Sequence, residues 1–573
     1  MRRFLVLALT LPILGGACTK ALSVRSPREA AQGSRVDSWA RFIPGETPYF
    51  FGNLEPLPPA FGDRLAGVLD PLLGMLEPEL AKKRMAFEHR QELPEDDRVL
   101  KAILDEVRGN LSVKGLARIG LSFDLTYVVH GVGLFPVMRL GIRDPDALRG
   151  LVERIEAKSG VRAPRRKLGA NEYWSFGDAD RMAVVVAILE DELVIGFLAS
   201  STAPEVLPMI LRQVTPKRSI IDEGKIAELV QRGYKYSYGI IDLVRIASIF
   251  LGNEGVLASK QLAAMEIDPS PLSKPCKNEI LGLVSLMPRM VMGVERIDDR
   301  GSVTEGILEL DPKVADALAA LPAPVPGLAL RPRGNPLATM GIGLDLGKTV
   351  DLLRQVATRI QENPYQCEHL DFLNEAAAGI GGAFLNPVMA QVAQFQGLYV
   401  MVEDVFPNGS APEARVLSII AHKSPSMFLS ILGSAFPPLA DIALNDDGVP
   451  IPLPLEEELP WVVEPTLAVR GQAIAFSIGN GMGTKLTEAL GKSPGNPLPV
   501  FQFSYDGKRI LDLMKRWDLL NKALDQGNLQ LKAFLDAGQR WSGFYFSSMF
   551  FDRRGIVVKT GEELGTTETG IAR

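Results

Sequence analysis

Histidine is scarce in this chain: His89, His130, His369 and His422 are the only four among 573 residues. No two of them stand at a metal-ligand spacing such as H-E-x-x-H, so a histidine-built zinc centre is not expected. His130, inside the apolar run Tyr127–Val132, reads as a structural strand histidine with its hydrogen bonds satisfied. Cysteine is scarcer still, at Cys18, Cys276 and Cys367. Cys367 lies two residues before His369, but a Cys-x-His pair with no further ligands nearby does not make a zinc site. A G-x-S-x-G elbow is missing, and no Ser-x-x-Lys sits in a strand-to-helix context, which removes the common serine nucleophiles. The net charge is only −6, and Lys and Arg form no stripe, which excludes nucleic acid as a partner. Beyond the N-terminus there is no long hydrophobic run fit to span a bilayer. Ala376–Val402 is uncharged but interrupted by Asn386, Pro387, Gln391, Gln394 and Gln396.

The glycine-rich stretches are equally poor in chemistry. Gly347-Lys348-Thr349 would need glycine at 342 to form a phosphate loop, and that residue is Ile342, with Gly341 and Gly343 to either side. No nucleotide and no cofactor are expected. Gly479-Asn480-Gly481-Met482-Gly483 follows a strand pattern and precedes a helix pattern; it reads as a turn, with anion binding at the helix start as the functional alternative. Glu190-Asp191-Glu192 and Glu456-Glu457-Glu458 read as solvated turns. A pair of glycosidase carboxylates stays open, because two such groups need not be near in sequence. Ala376–Phe384 reads as close packing of small residues, with an apolar surface for lipid or a partner as the alternative.

What is present begins at the N-terminus. Met1-Arg2-Arg3 is followed by apolar Phe4–Ile13 and by small Gly15-Gly16-Ala17 before Cys18, the order of a secretory signal. The apolar stretch falls short of the about 20 residues that a spanning helix needs. The small residues ending at Cys18 resemble a bacterial lipoprotein signal, in which the cysteine is lipidated and becomes the new N-terminus; ordinary cleavage after Ala17 is the alternative. The resemblance implies lipid attachment at Cys18 and a membrane partner through that anchor, without a spanning segment. Thr19, rather than Asp, follows the cysteine and favours the outer membrane, facing periplasm or surface. In an oxidising compartment the remaining pair, Cys276 and Cys367, is expected to form a disulfide, with two separate buried thiols as the alternative.

The strongest internal signal is repetition. Strand-like segments near Phe51, Tyr238, Met340 and Phe503 each run to an acidic residue, Glu55, Asp242, Asp345 and Asp506, and then into an amphipathic helix that the acid is placed to cap. Gly133–Ile155 matches Ala414–Phe436 in pattern, Met182–Leu211 matches Pro465–Leu490, and Val291–Leu310 matches Phe544–Leu564. The last pair reads as hairpins turning at Asp298–Gly301 and Asp552–Gly555. The tight turn between Val184–Leu189 and Leu193–Leu198 makes those strands antiparallel neighbours. The expected fold class is therefore α+β, in two related halves, each with antiparallel strands and packed helices.

The expected layout is a signal peptide at 1–17, a flexible tether at 18–38, a first α+β half at 39–321, a Pro-rich linker at 322–327, a second α+β half at 328–564 and a tail at 565–573. Asp446–Pro465, with no counterpart in the first half, reads as a surface insertion. Ile43–Pro58 (IPGETPYFFGNLEPLP), Gly133–Leu140 (GLFPVMRL) and the two-half layout resemble an uncharacterised family of bacterial envelope lipoproteins of unknown function. That resemblance implies a duplicated α+β body and no particular activity. The expectation is a non-enzymatic, lipid-anchored envelope protein that binds a protein partner or an apolar ligand. A lipid carrier with a cleft between the halves, or a secreted hydrolase using scattered carboxylates, are its alternatives.

Overall fold

Alternation along the chain sets the sheets. In Phe135–Gly141 every second residue is buried, and Glu192–Ala199 repeats the pattern until its last two residues. That is the period of a sheet with one face turned to a core. The computed structural model describes residues 36–88, 92–122, 126–177, 181–298, 300–330, 336–383, 392–406, 413–435, 445–455, 462–517 and 543–564. The signal peptide, Cys18, the tail at 565–573, His89 and Glu456–Glu458 lie outside the described residues. The described fold is mixed α+β, with nineteen strands pairing antiparallel and helices between them. No helix among the described residues is long and apolar enough to cross a membrane.

The strands in chain order are β1 (Tyr49–Asn53), β2 (Tyr127–Val132), β3 (Phe135–Gly141), β4 (Arg165–Leu168), β5 (Asn171–Gly177), β6 (Met182–Ile188), β7 (Glu192–Ala199), β8 (Ser237–Asp242), β9 (Arg289–Asp298) and β10 (Gly301–Glu309). They continue as β11 (Ala338–Gly343), β12 (Phe395–Phe406), β13 (Glu413–His422), β14 (Ile451–Pro452), β15 (Thr466–Arg470), β16 (Ala473–Ile478), β17 (Pro499–Asp506), β18 (Gly543–Asp552) and β19 (Gly555–Leu564). The chain divides into two compact units. The first comprises 1–272, 291–302 and 527–541; the second comprises 273–290, 303–526 and 542–573. The stretch 322–327, expected as a linker, lies in the second unit, where Ala323 and Val325 are buried.

In the first unit the strands run β4–β5–β6–β7–β3–β2–β1–β8 across the sheet. Its main core gathers Trp39, Phe50, Val128, Tyr238 and Ile240, and a second cluster under β6 and β7 holds Val185, Val194, Leu198 and Ile210. In the second unit the order is β14–β15–β16–β13–β12–β11–β17–β18–β19. Its core gathers Tyr399, Leu417, Ile419, Ala475 and Leu486. Asp446–Pro465 is not purely a surface insertion: it supplies β14 at the edge, and Leu453 is buried against Leu467 and Ile474.

Three of the four expected acidic caps form. Asp242 and Asp506 end their strands and Asp345 lies two residues beyond β11; each accepts the backbone N–H three residues on, from Arg245 at 2.8 Å, Lys348 at 3.1 Å and Arg509 at 3.0 Å. A carboxylate there satisfies an orphan donor and meets the positive end of the helix dipole. Glu55 is the exception, because the helix after β1 does not begin until Pro59. The two expected hairpin turns are built alike. Asp298 accepts from the Arg300 amide at 2.9 Å, and Asp552 from the Arg554 amide at 2.8 Å. The glycines that follow, Gly301 and Gly555, take φ of 137° and 139°, which a side chain would resist.

Candidate functional site

The inward face of the second unit's sheet mixes polar residues with apolar ones such as Val500, Phe546 and Phe550. On β11, β17 and β18 the residues turned inward include Thr339, Gln502, Ser504 and Ser548, all buried. They satisfy one another: Gln502 Nε2 donates to Thr339 Oγ1 at 2.9 Å, Thr339 Oγ1 lies 2.6 Å from Ser504 Oγ, and Ser548 donates to the Leu330 carbonyl. The outward residues of β11 and β17 are apolar, and those of β18 alternate Tyr545, Ser547 and Met549. Met340 stands opposite Phe503, Ile342 opposite Phe501, Phe501 opposite Met549, and Met549 opposite Val558. Met340, Ile342, Phe503 and Val558 keep 45%, 42%, 38% and 36% of their surface exposed. Tyr505 closes one end of this strip, stacked on Tyr545 with ring centres 4.9 Å apart. Ile342, Phe501, Met549 and Val558 thus make an apolar run across four strands.

The first unit holds a buried ion pair. Arg139 on β3 and Glu192 on β7 face the core with both side chains fully buried, 2.8 Å apart. Arg139 also donates to the carbonyls of Met209 and Ile210, at the C-terminal end of the helix Ala203–Ile210, where a positive charge is favoured. Arg212 bridges Asp191 at 2.8 Å and Glu192 at 3.5 Å. Burial pushes the Glu192 carboxyl up, and the two arginines oppose that push. The expectation that Glu190-Asp191-Glu192 is a solvated turn is therefore corrected at its last residue, which the β6–β7 register turns into the core. A fully buried carboxylate held by arginine is out of reach of a substrate, so Glu192 gives no support to a hydrolase.

His130 is buried beside this pair, and burial, with the Arg139 charge, drives it well below the usual imidazole range. Neither ring nitrogen makes a well-aligned hydrogen bond, and the Gly131 backbone nearby only partly offsets the shift, so the histidine is less fully satisfied than expected. His422 Nδ1 accepts from the Ser424 amide at 3.1 Å, and exposed His369 lies 3.8 Å from Glu368. No group of His, Cys, Asp and Glu among the described residues could hold a metal.

The glycine motifs resolve into structure. Lys348 Nζ donates to the Ala320 carbonyl at 3.1 Å and Thr349 Oγ1 to the Asp345 carbonyl at 2.9 Å, so both are engaged within the chain. At the start of the helix Met482–Gly491, the Gly481 amide donates to Glu464 at 3.2 Å, so the chain's own carboxylate fills the expected anion position. In Ala376–Phe384, Ala377 is buried and its carbonyl accepts from Gln361 of the neighbouring helix Leu346–Glu362 at 2.7 Å. Cys276 and Cys367 are joined as a disulfide with Cα atoms 4.5 Å apart. Glu279 reinforces the join by accepting the amides of Gln366 and Cys367 at 2.9 Å each. No family model, curated protein or solved structure matches this chain.

Proposed function

We propose that this chain is a non-enzymatic, lipid-anchored protein of the bacterial cell envelope that binds an apolar ligand or a protein partner on the outward face of β11, β17, β18 and β19. One observation carries the reading: four large apolar side chains on that face stay more than one-third exposed while the opposite face of β11 and β17 buries Thr339, Gln502 and Ser504. Folding alone favours the reverse, since burying a large apolar side chain stabilises by about 1.5–3 kcal/mol. An exposed row of this kind is retained where a ligand or partner covers it. The carrier form of the reading, with a lipid as ligand, fits the Met and Phe composition of the face.

The proposal includes export by residues 1–17, lipidation of Cys18 and retention at the outer membrane. It also includes duplication. Matching strand orders support it, with β6–β7–β3–β2–β1–β8 in one unit and β15–β16–β13–β12–β11–β17 in the other. The caps at Asp242 and Asp506, and the turns at Asp298 and Asp552, then occupy equivalent places.

The test is to purify the body from residue 19 onward out of an expressing bacterium, extract it with organic solvent and identify what is released by mass spectrometry. A lipid near one per chain, lost in Phe503→Asp, supports the carrier form. A protein crosslinked to the wild type and not to Phe503→Asp supports the partner form. If Phe503→Asp changes neither, the face has no such role. Unchanged membrane localisation of Cys18→Ser would overturn the anchor.

A further inference from the structure

The first unit contains an open cavity of about 520 Å³, between the helix Pro145–Ser159, strands β4 and β5, and the β6–β7 turn. That is within the size range of small-molecule sites, roughly 300–1,000 Å³. Its wall is mostly polar, with Trp174 and Ile188 among its apolar parts. Three arginines line it, each with a carboxylate partner: Arg149 pairs with Asp146 at 2.7 Å, Arg165 with Glu156 at 2.9 Å and Arg212 with Asp191 at 2.8 Å. Glu172, also in the wall, pairs with Lys167 at 2.9 Å. Glu153 on the helix and Glu190 in the turn are the remaining charged groups of the lining. Neither makes an ion pair among the described residues. Glu153 and Glu190 are thus the two charged groups of the wall without an ion-pair partner, beside an indole and an aliphatic side chain.

We propose that this cavity is a binding site for a small organic cation, a primary ammonium or guanidinium carried on an apolar body. The apolar body takes the Trp174 and Ile188 lining, and the charge is met by Glu153 and Glu190. Aromatic rings attract cations through their quadrupole, so Trp174 favours the same sign of ligand as the carboxylates do. An anion would meet arginines that each have a carboxylate partner, and two carboxylates without an ion-pair partner besides. The site is separate from the apolar face of the second unit, and either assignment stands without the other.

The test is calorimetric titration of the mature chain with phenethylammonium and, at the same ionic strength, with phenylacetate, which has a similar body and the opposite charge. Saturable binding of the cation at least tenfold tighter than the anion is expected. Glu153→Gln with Glu190→Gln should weaken the cation at least tenfold without moving the thermal midpoint, because both side chains are exposed. Trp174→Phe should retain binding with reduced affinity. Absence of saturation by the cation, equal binding of the two probes, or unchanged affinity in the double glutamine variant would each overturn the proposal. The comparison of the two probes on the wild type decides the sign of the site even if a variant fails to fold.

Discussion

Replacing Arg139 by methionine should unfold the first unit's sheet more readily than any surface change, and should do so in a pH-dependent way. The substitution keeps side-chain length but removes the 2.8 Å pair with Glu192 and the hydrogen bonds to the Met209 and Ile210 carbonyls. Glu192, wholly buried, would be left with only Arg212 at 3.5 Å to offset the cost of its charge. Breaking a buried pair in this manner costs about 3–5 kcal/mol. Burial already holds the Glu192 carboxyl above its usual range, and losing Arg139 removes a charge that pulls it down. An acid whose folded pKa is raised binds more protons folded than unfolded, so stability falls as pH rises through the window from the unfolded value, about 4.3, up to the raised value. Acidification through that window should therefore return about 1.4 kcal/mol per pH unit to the variant. Removing both charges, as Arg139→Met with Glu192→Leu, should restore most of the loss. The assay is urea unfolding at pH 8 and pH 5, read by the midpoint of the earlier transition at unchanged slope. A penalty below about 1 kcal/mol at pH 8, or one equal at the two pH values, would refute the account.

Other outcomes are expected from features elsewhere. Met340→Asp and Phe503→Asp should shift the urea midpoint by less than about 1 kcal/mol, since both side chains are exposed, while removing co-extracted lipid or a crosslinked partner. Asp345→Ala loses a helix cap and the 2.8 Å pair with Lys423, which should lower stability by about 1–2 kcal/mol at neutral pH. Burial acts to raise Asp345, but the Lys423 hydrogen bond and the Lys348 amide outweigh it and hold the carboxyl below its usual range. Its contribution is thus present above the unfolded value of about 3.9 and lost as pH falls through the lower folded value, so thermal midpoints of variant and wild type should converge only in strong acid. Cys276→Ser with Cys367→Ser opens a loop spanning 91 positions, and loop-closure entropy gives a loss of roughly 4–5 kcal/mol, measurable by urea unfolding with and without reductant.

The antiparallel order was legible because its signals are local. Period-two alternation, acids at strand ends and Asp-x-x-Gly turns each depend on a few adjacent residues, and Asp242, Asp345 and Asp506 cap as their positions imply. The buried ion pair was not legible, because Arg139 and Glu192 are 53 positions apart and only sheet register brings them together. A hint was available: alternation along β3 puts Arg139 on the same face as Val137, an odd place for a cation without a partner. The apolar face hid for a different reason. Met340 and Ile342 alternate with Thr339 and Gly341, and Phe501 and Phe503 with Gln502 and Ser504, so two faces are plain in the sequence. Which one is inside depends on what packs against the sheet, and the usual preference for apolar residues inside points the wrong way here. Glu55 shows the limit of pattern matching, since its strand resembles the others but is followed by an extended stretch rather than a helix.

The Cys276–Cys367 bond also makes a closed covalent ring, and that ring contains β9, β10, the proline-rich stretch at 322–327 and β11. A protease cut anywhere within the ring opens a circle instead of severing a chain. The N-terminal and C-terminal parts would stay on one molecule and would separate only in reductant. In an oxidising compartment a nicked molecule would therefore persist at full mass, and intactness on a non-reducing gel would say nothing about whether the backbone between residues 276 and 367 is whole.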